Sequence, residues 1–261
     1  GVDISHFFEA SRRNPDLYRV HQQITITDGT HGLKVHHFPE LTGLEPLMVP
    51  LHATNKLGFP QSYMILARTM REGQYLVNMA KVDNVNVTDV DSYSQGEMLA
   101  RSRIARVVDF LRRHVPGFSD VRIISTPHQL GIREGRLLRG EHILAVHEMV
   151  ARQTYPDTVA MGGRYVDIHR REERVDLANR KVPKVHAFPH GYFIPYRCLV
   201  PRQVDGLVVA GRCVSTTREA MGSVRVMGCC MALGQAAGVA AALSAMKATP
   251  PRSADIRALQ N

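Results

Sequence analysis

The sequence has few cysteines, and none of them is placed to bind a metal. No Cys-x-x-Cys pair is present, so neither an iron–sulfur cluster nor a structural zinc site is expected. His186 and His190 are four residues apart, but Pro189 between them excludes a helical metal pair. We therefore expect no metal, and buried, inert side chains for the four cysteines, which are Cys198, Cys213, Cys229 and Cys230.

The sequence also lacks a signal peptide, internal repeats and a low-complexity linker. We expect a cytoplasmic protein. With 261 residues, of which 44% are hydrophobic, the chain is long enough for one large domain or two modest ones with a real core.

Acidic residues are scarce in one basic segment. The net charge is +9, and nine arginines between Arg101 and Gly140 face only three carboxylates. Such an excess suits nucleic acid, a membrane surface or an anionic substrate. Nucleic-acid modules usually interleave basic with aromatic residues or carry a recognisable motif, and this segment does neither. We therefore expect no nucleic-acid partner. A non-catalytic basic module that contacts nucleic acid is kept as the alternative function.

A short apolar segment near the C-terminus predicts a buried strand. Leu207–Ala210 is entirely apolar and is closed by Gly211. This pattern is typical of a strand in a parallel sheet. Glycine at the end of such a strand permits a sharp turn or the close approach of a ligand.

A helix poor in side-chain bulk follows that strand. Gly222 and Ser223 occupy the expected N-cap, so free amides and the positive end of the helix dipole would favour an anionic oxygen. Gly228, Gly234 and Gly238 inside the helix each cost roughly 1 kcal/mol relative to alanine. Close approach of another backbone or of a flat ligand would offset this cost.

The same helix allows two other interpretations. The segment from Val226 to Met246 has no charged residue and is about long enough to cross a bilayer. Its content is mostly alanine and glycine, with Gln235 in the middle, which disfavours a membrane anchor. A purely structural buried helix is the second alternative, and we expect no membrane partner.

Two further elements are predicted in the N-terminal half. The apolar runs Tyr63–Met70 and Tyr75–Val82 predict a β-hairpin around a turn that contains Gly73. Ser94 and Glu97 form a capping-box pattern before a helical periodicity that Pro116 and Gly117 should end.

Three residues are candidates for contact with a substrate. Arg133 and Arg136 can clamp a carboxylate if they face a cleft, because guanidinium forks match planar anions; if they face solvent they are ordinary surface charge. His169 ends a predicted strand over Tyr165–His169. It is either a proton donor or substrate hydrogen-bond partner, or a structural histidine.

A series of short motifs runs through most of the chain. They are Leu76-Val-Asn-Met, Val115-Pro-Gly-Phe, Gln129-Leu-Gly-Ile-Arg-Glu-x-Arg, Val166-Asp-Ile-His, Ile194-Pro-Tyr-Arg-x-Leu-Val-Pro, Asp205-Gly-Leu-Val-Val-Ala-Gly-Arg-x-x-Ser, Gly222-Ser-Val-Arg-Val-Met-Gly and Gly234-Gln-Ala-Ala-Gly. In this order they resemble the C-terminal half of the FAD-dependent oxidoreductase family. The family has distant likeness to fumarate-reductase-type flavoproteins and to the flavin subunit of heterodisulfide reductases.

The resemblance implies an α/β fold, α+β in its substrate part, with FAD as cofactor. It implies hydride transfer between an organic substrate and FAD, with Arg133, Arg136 and His169 on the substrate side, and an electron-transfer partner. The arginine excess favours an anionic substrate. The helix start would stabilise negative charge on the reduced flavin. The implied flavin-binding residues are Gly211, Arg212, Ser215, Gly222, Ser223, Val224 and Arg225.

One family feature is missing from the sequence. Family members begin with a Gly-x-Gly-x-x-Gly turn that holds the ADP half of FAD, and the 261 residues contain no such turn. We therefore expect a fragment, inactive alone, whose partner is an N-terminal dinucleotide-binding segment. Within it we expect residues 1–195 to form a substrate-side domain and residues 196–261 to supply the C-terminal strand and helix of the FAD-binding domain.

Overall fold

The computed structural model describes residues 2–21, 40–54, 56–60, 64–168 and 188–261. The described residues form two compact units, the first ending at Gly131 and the second beginning at Ile132. Each unit has its own cluster of buried apolar side chains. The predicted boundary between residues 195 and 196 lies within the second unit, and the division of roles on which it was based stays a prediction.

The first unit packs helices on a small antiparallel sheet. Its strands pair in the order β1-β2-β3-β4, and every pair is antiparallel. The predicted hairpin is confirmed, because β3 pairs with β4 across a turn in which the Thr69 amide donates to the Gln74 carbonyl at 3.0 Å. The elements are α1 Ile4–Arg13, β1 Tyr18–His21, β2 Glu40–Gly43, α2 Glu45–Ala53, β3 Met64–Arg68, β4 Tyr75–Val77 and α3 Val90–His114.

Helix α3 begins earlier than the capping-box pattern predicted. Its N-cap is Asp89, whose carboxylate accepts the Ser92 amide at 2.7 Å. Glu97 instead accepts a hydrogen bond from the Leu130 amide and pairs with Arg101. The predicted end is confirmed, since α3 stops at His114, directly before Pro116 and Gly117.

Four of the five arginines of α3 hold loops of the first unit against the helix. Each donates to a backbone carbonyl that another segment offers, and such bonds to a charged donor are stronger than neutral ones. The pairs are Arg101 with His128, Arg103 with Lys81, Arg106 with Gly58, and Arg112 with Val121. Much of the basic excess therefore has a structural role.

The second unit is built on a two-stranded sheet and a long apolar helix. Strands β5 and β6 are antiparallel, with Gly162 opposite Tyr192. Leu233, Ala236 and Ala240 of α6 belong to the same apolar core. The elements are α4 Val146–Val150, β5 Thr158–Gly162, β6 Tyr192–Pro195, α5 Arg218–Val224, α6 Met227–Lys247 and α7 Ile256–Gln260.

Two predicted strands are wrong in the part of the chain that the structure describes. Leu207–Ala210 is extended but joins no ladder of described residues; the Val209 amide donates to the Leu199 carbonyl at 2.8 Å, and Leu207 is 46% exposed. Residues 165–168 of the other predicted strand are likewise outside any described sheet. An apolar run indicates burial, but it becomes a strand only where a neighbouring strand pairs with it.

The two units together contain helices mixed with small sheets. The described sheets are antiparallel, and the parallel pairing present is an isolated bridge between Leu144 and Thr216. This content agrees with the predicted α/β class, with α+β character, but it does not single out one fold of that class.

Candidate functional site

The turn after the extended segment is open on one side. Gly211 has a φ of +86°, a conformation that side-chain-bearing residues rarely adopt, and no described heavy atom lies within 4 Å of the position of a Cβ. The next residue, Arg212, is exposed, and its guanidinium donates to the Ile132 carbonyl. Gly211 and Arg212 are thus reachable from outside the unit.

Ser215 is not available to a ligand. It is fully buried, and its Oγ accepts the Gly140 amide at 3.0 Å. A Cβ on Gly140 would lie only 2.7 Å from the Cβ of Ser215. Ser215 thus links two backbone segments, and its role in flavin binding stays a prediction.

Gly222 allows close approach of protein backbone. It lies inside α5, and the Asp167 amide donates to its carbonyl at 3.2 Å. A Cβ at Gly222 would meet Ile168 Cγ1 at 2.7 Å and the Asp167 carbonyl oxygen at 3.3 Å. The close neighbours of Gly222 are thus protein atoms, whereas a Cβ at Gly228, Gly234 or Gly238 would meet no described heavy atom within 4 Å.

Ser223 and Val224 are also enclosed by the second unit. Both are fully buried. The Ser223 hydroxyl lies 2.7 Å from the Tyr192 hydroxyl and donates to the Arg164 carbonyl. Burial raises the pKa of Tyr192, so this phenol stays protonated. Ser223 fixes β6 to α5 and cannot be the predicted helix N-cap.

Arg225 is the centre of a charge network. Its side chain is only 7% exposed, and it contacts Glu134 at 3.3 Å and Asp167 at 3.8 Å. Glu134 also pairs with Arg218 at 3.0 Å, and Asp167 pairs with Arg133 at 3.6 Å. Burial lowers the pKa of the Arg225 guanidinium, while the two carboxylates oppose that shift. The network fixes residues 133–134 and 167 to the end of α5.

The predicted substrate residues have different outcomes. Arg133 is 46% exposed and pairs with Asp167, so it is held in place but still reaches solvent. Arg136 is exposed. His169 lies outside the described residues. The structure therefore brings Arg133 to the same network as Arg225, and the catalytic roles of Arg133, Arg136 and His169 stay predictions.

Sequence reasoning did not assign roles to Asp167 and Tyr192. Asp167 stood in the motif Val166-Asp-Ile-His, which signals a functional segment but not a partner for Arg225. Tyr192 bonds to Ser223 from 31 positions earlier in the chain. Contacts over such separations depend on the fold and leave no local pattern.

The long helix begins at Met227. Its N-cap is Val226, and no described side chain caps its first amides. Met227 is 83% exposed, and the position of a Cβ on Gly228 has no described heavy atom within 4 Å. The free helix N-terminus is therefore at Met227 and Gly228, three to four residues beyond the predicted start.

One face of α6 is uncovered. A Cβ at Gly234 or Gly238 would meet no described heavy atom within 4 Å, while Leu233 and Ala240 on the opposite side are fully buried. Among the described residues, α6 is the one helix long and apolar enough to cross a bilayer, a test based on length and composition alone. The absence of a membrane partner stays a prediction.

A family model decides the class of the protein. The model described as FAD dependent oxidoreductase matches residues 34–261. The chain belongs to the FAD dependent oxidoreductase family. No curated protein and no solved structure matches the chain.

Membership of the FAD dependent oxidoreductase family establishes FAD as the cofactor, an oxidoreductase role and a small-molecule substrate. The predicted flavin-binding residues differ in accessibility, and their roles stay predictions. Gly211, Arg212 and the start of α6 are accessible, whereas Ser215 and Ser223 are fully buried among protein atoms.

A cavity of about 460 Å³ elsewhere in the second unit is lined by ion pairs. Arg197 binds Asp157 through Nε at 3.0 Å and through a second nitrogen at 3.2 Å, and Arg252 pairs with Glu141 at 3.1 Å. The charges that line this cavity of the oxidoreductase thus neutralise one another in pairs. The cavity is therefore a weak candidate for the binding site of an anionic substrate.

The Asp157–Arg197 pair predicts a loss of stability in acid. Burial acts to raise the pKa of Asp157, but the hydrogen bonds from Arg197 outweigh it and hold the pKa below its ordinary value of 3.8. Because the pKa of Asp157 is lower in the folded chain than in the unfolded one, the ionised carboxylate contributes its full stabilisation above pH 3.8. This stabilisation is lost as the pH falls through the pKa of Asp157 in the folded chain. Urea unfolding followed by circular dichroism should show a smaller acid-induced loss in Asp157→Asn than in the unmodified chain.

The matched control is Asp205→Asn, because Asp205 is 73% exposed and its ion pair with Arg252 is therefore a weak surface pair. We expect that variant to follow the pH dependence of the unmodified chain. An identical acid profile for Asp157→Asn and the unmodified chain would contradict the prediction.

Proposed function

We propose that this chain is the flavin- and substrate-facing part of an FAD-dependent oxidoreductase that transfers hydride between an organic anion and FAD. The observation that carries the proposal is the open N-terminus of α6, formed by Met227 and Gly228. The 21-residue helix α6 begins there, so its first amides are free and the positive end of its dipole lies at the same place. Such a terminus favours negative charge on a bound oxygen.

Two segments of the second unit would hold the flavin ring. Gly211 and Arg212 form one, and the start of α6 forms the other. When bound, FAD supplies a two-electron acceptor or donor. The chain contributes a positively polarised helix end, and the exposed guanidinium of Arg212 adds a positive charge.

The substrate side of the proposal rests on the charge network. Arg133 is fixed by Asp167, which in turn contacts the buried Arg225. A guanidinium held in this way loses little side-chain freedom on binding a carboxylate. We propose Arg133 and Arg136 as the substrate-binding cations, with His169 as the proton donor.

The proposed division of roles follows the chain. Residues 1–195 would face the substrate, and residues 196–261 would contact the flavin. The ADP half of FAD would be held by a Gly-x-Gly-x-x-Gly segment, which the 261 residues do not contain. We further propose a cytoplasmic location and an electron-transfer partner. No observation on the described residues favours the nucleic-acid alternative. Four arginines of the basic segment donate to backbone carbonyls of the chain itself.

FAD binding tests the position of the flavin. The chain is titrated with FAD, alone and with a Gly-x-Gly-x-x-Gly segment of the family, while flavin absorbance and fluorescence are recorded. We expect a yellow complex with the segment present. Gly228→Leu fills the open space at the start of α6 and should weaken binding about tenfold or more, since a ligand atom must then be displaced.

The control for this titration is Ala245→Leu, which adds the same side chain at an exposed position in the last turn of α6. It should bind FAD like the unmodified chain. A well-folded but colourless product, or equal affinity in Gly228→Leu and the unmodified chain, would contradict the proposed flavin position.

A further inference from the structure

The first unit contains a surface groove that the flavin proposal does not use. It has a volume of about 430 Å³ and lies between the loop after α2 and the C-terminal half of α3. Leu57 and Phe110 supply apolar side chains to its lining. Small-molecule pockets typically span about 300–1,000 Å³, so the groove is large enough for a small organic ligand.

The rim of the groove is rich in positive charge. Lys56, Arg106 and Arg113 line it together with His114, and Asp109 is the one carboxylate among the described lining residues. Three permanent cations thus face one anion. This balance differs from that of the cavity in the second unit, where each of the two lining arginines has a carboxylate partner.

Two of these cations are held in position before any ligand arrives. Arg106 donates to the Gly58 carbonyl at 3.3 Å, and Arg113 pairs with Asp109 at 2.9 Å. Gly58 has a φ of +73°, and a Cβ there would lie 2.6 Å from Nη1 of Arg106. Glycine at this position is what lets the guanidinium lie against the loop.

The apolar part of the groove is equally well fixed. Phe110 is 5% exposed, and its ring packs edge-on to Phe59 at 5.9 Å. On the other side the ring of His114 lies 4.9 Å away. Leu57 is 6% exposed beside them. Phe110 and Leu57 thus form the floor under the groove, and the apolar surface open to a ligand is that of the partly exposed Leu51 and His114.

We propose that this groove binds a small organic anion, with a carboxylate or phosphate head on an apolar body. The head pairs with Arg106 and Arg113, whose forks match planar or tetrahedral oxygen groups. The body packs on Leu51 and on the ring of His114, which are the partly exposed apolar lining residues. Inorganic anions lack the second contact and neutral aromatic compounds lack the first, so each alone binds more weakly than a molecule that has both.

Calorimetric titration of the full chain with 2-naphthoate tests the groove. Its neutral counterpart, 2-naphthamide, has the same body without the charge, and inorganic phosphate has the charge without the body. We expect measurable binding of naphthoate only. The double variant R106Q/R113Q should lower the affinity about tenfold or more, because two charged donors are lost.

A control double variant removes the same charge elsewhere in the first unit. Arg12 and Arg122 are exposed arginines outside the groove lining, and R12Q/R122Q should bind naphthoate like the unmodified chain. Circular dichroism verifies the fold of each variant. Gly58→Ala keeps the charge but displaces Arg106, and it too should weaken binding.

Several results would overturn the proposal. Equal losses in the two double variants would show attraction by net charge alone. Equal binding of 2-naphthamide would show an apolar contact that ignores the anion. Absence of naphthoate binding at millimolar concentration would remove the site. None of these results bears on FAD, whose titration uses residues of the second unit.

Discussion

Arg225→Met is expected to lower the free energy of unfolding of the second unit by roughly 2–4 kcal/mol, somewhat less than the roughly 3–5 kcal/mol for breaking a fully buried ion pair. The side chain is 7% exposed and holds both Glu134 and Asp167. The two carboxylates are about one-third exposed, so solvent compensates part of the loss. Urea unfolding followed by circular dichroism measures the change, since the protein has no tryptophan.

Two further variants separate charge from geometry in this network. Arg225→Lys keeps the charge but loses the planar fork, and should cost about 1–2 kcal/mol. Arg218→Gln removes a 58% exposed partner of Glu134 and should cost less than about 1 kcal/mol. If Arg225→Met lost FAD binding with unchanged stability, the residue would face the cofactor, as the sequence motif alone implied.

Gly162→Ala is expected to destabilise the second unit by roughly 1–3 kcal/mol, the usual cost of overpacking. Its Cβ would lie 2.3 Å from both Cζ and the hydroxyl of Tyr192. That ring is fully buried and its hydroxyl is bonded to Ser223, so it has no free direction in which to move. The measurement is again the urea midpoint.

The neighbouring glycine provides the control for this substitution. Gly163 is exposed, and a Cβ there would have its nearest neighbours at 3.9 Å. Gly163→Ala should therefore change stability by less than about 0.5 kcal/mol, as surface substitutions do. Similar losses in Gly162→Ala and Gly163→Ala would contradict the packing argument. In Gly162→Ala combined with Tyr192→Leu, the two effects should not add, because the smaller side chain removes the clash.

Elements controlled by local residues were predicted well. The hairpin of β3 and β4 and the end of α3 near Pro116 and Gly117 follow from turn chemistry within a few residues. The start of α3 was missed because two acceptable caps lie close together. Asp89 caps the helix, and Glu97 was free to bind the distant Leu130 amide.

The candidate site was predicted less well, for a physical reason. Gly222 and Ser223 have the local pattern of a helix start, but the chain forms a separate short helix, α5, before α6 begins at Met227. Gly222 and Ser223 instead contact Asp167 and Tyr192, which lie far away in sequence and which no local pattern predicts. The family motifs identified the cofactor correctly. A motif indicates that the family binds FAD, but it does not say which atoms of the chain make the contacts.

The uncovered face of α6 leads us to expect self-association of the chain in solution. Met227, Met231 and Met246 are each more than 70% exposed on a helix with no charged residue before Lys247. Together with the glycines of the same face, these flexible thioether side chains form an exposed apolar strip, a kind of surface on which protein chains associate. We expect this association to weaken on dilution.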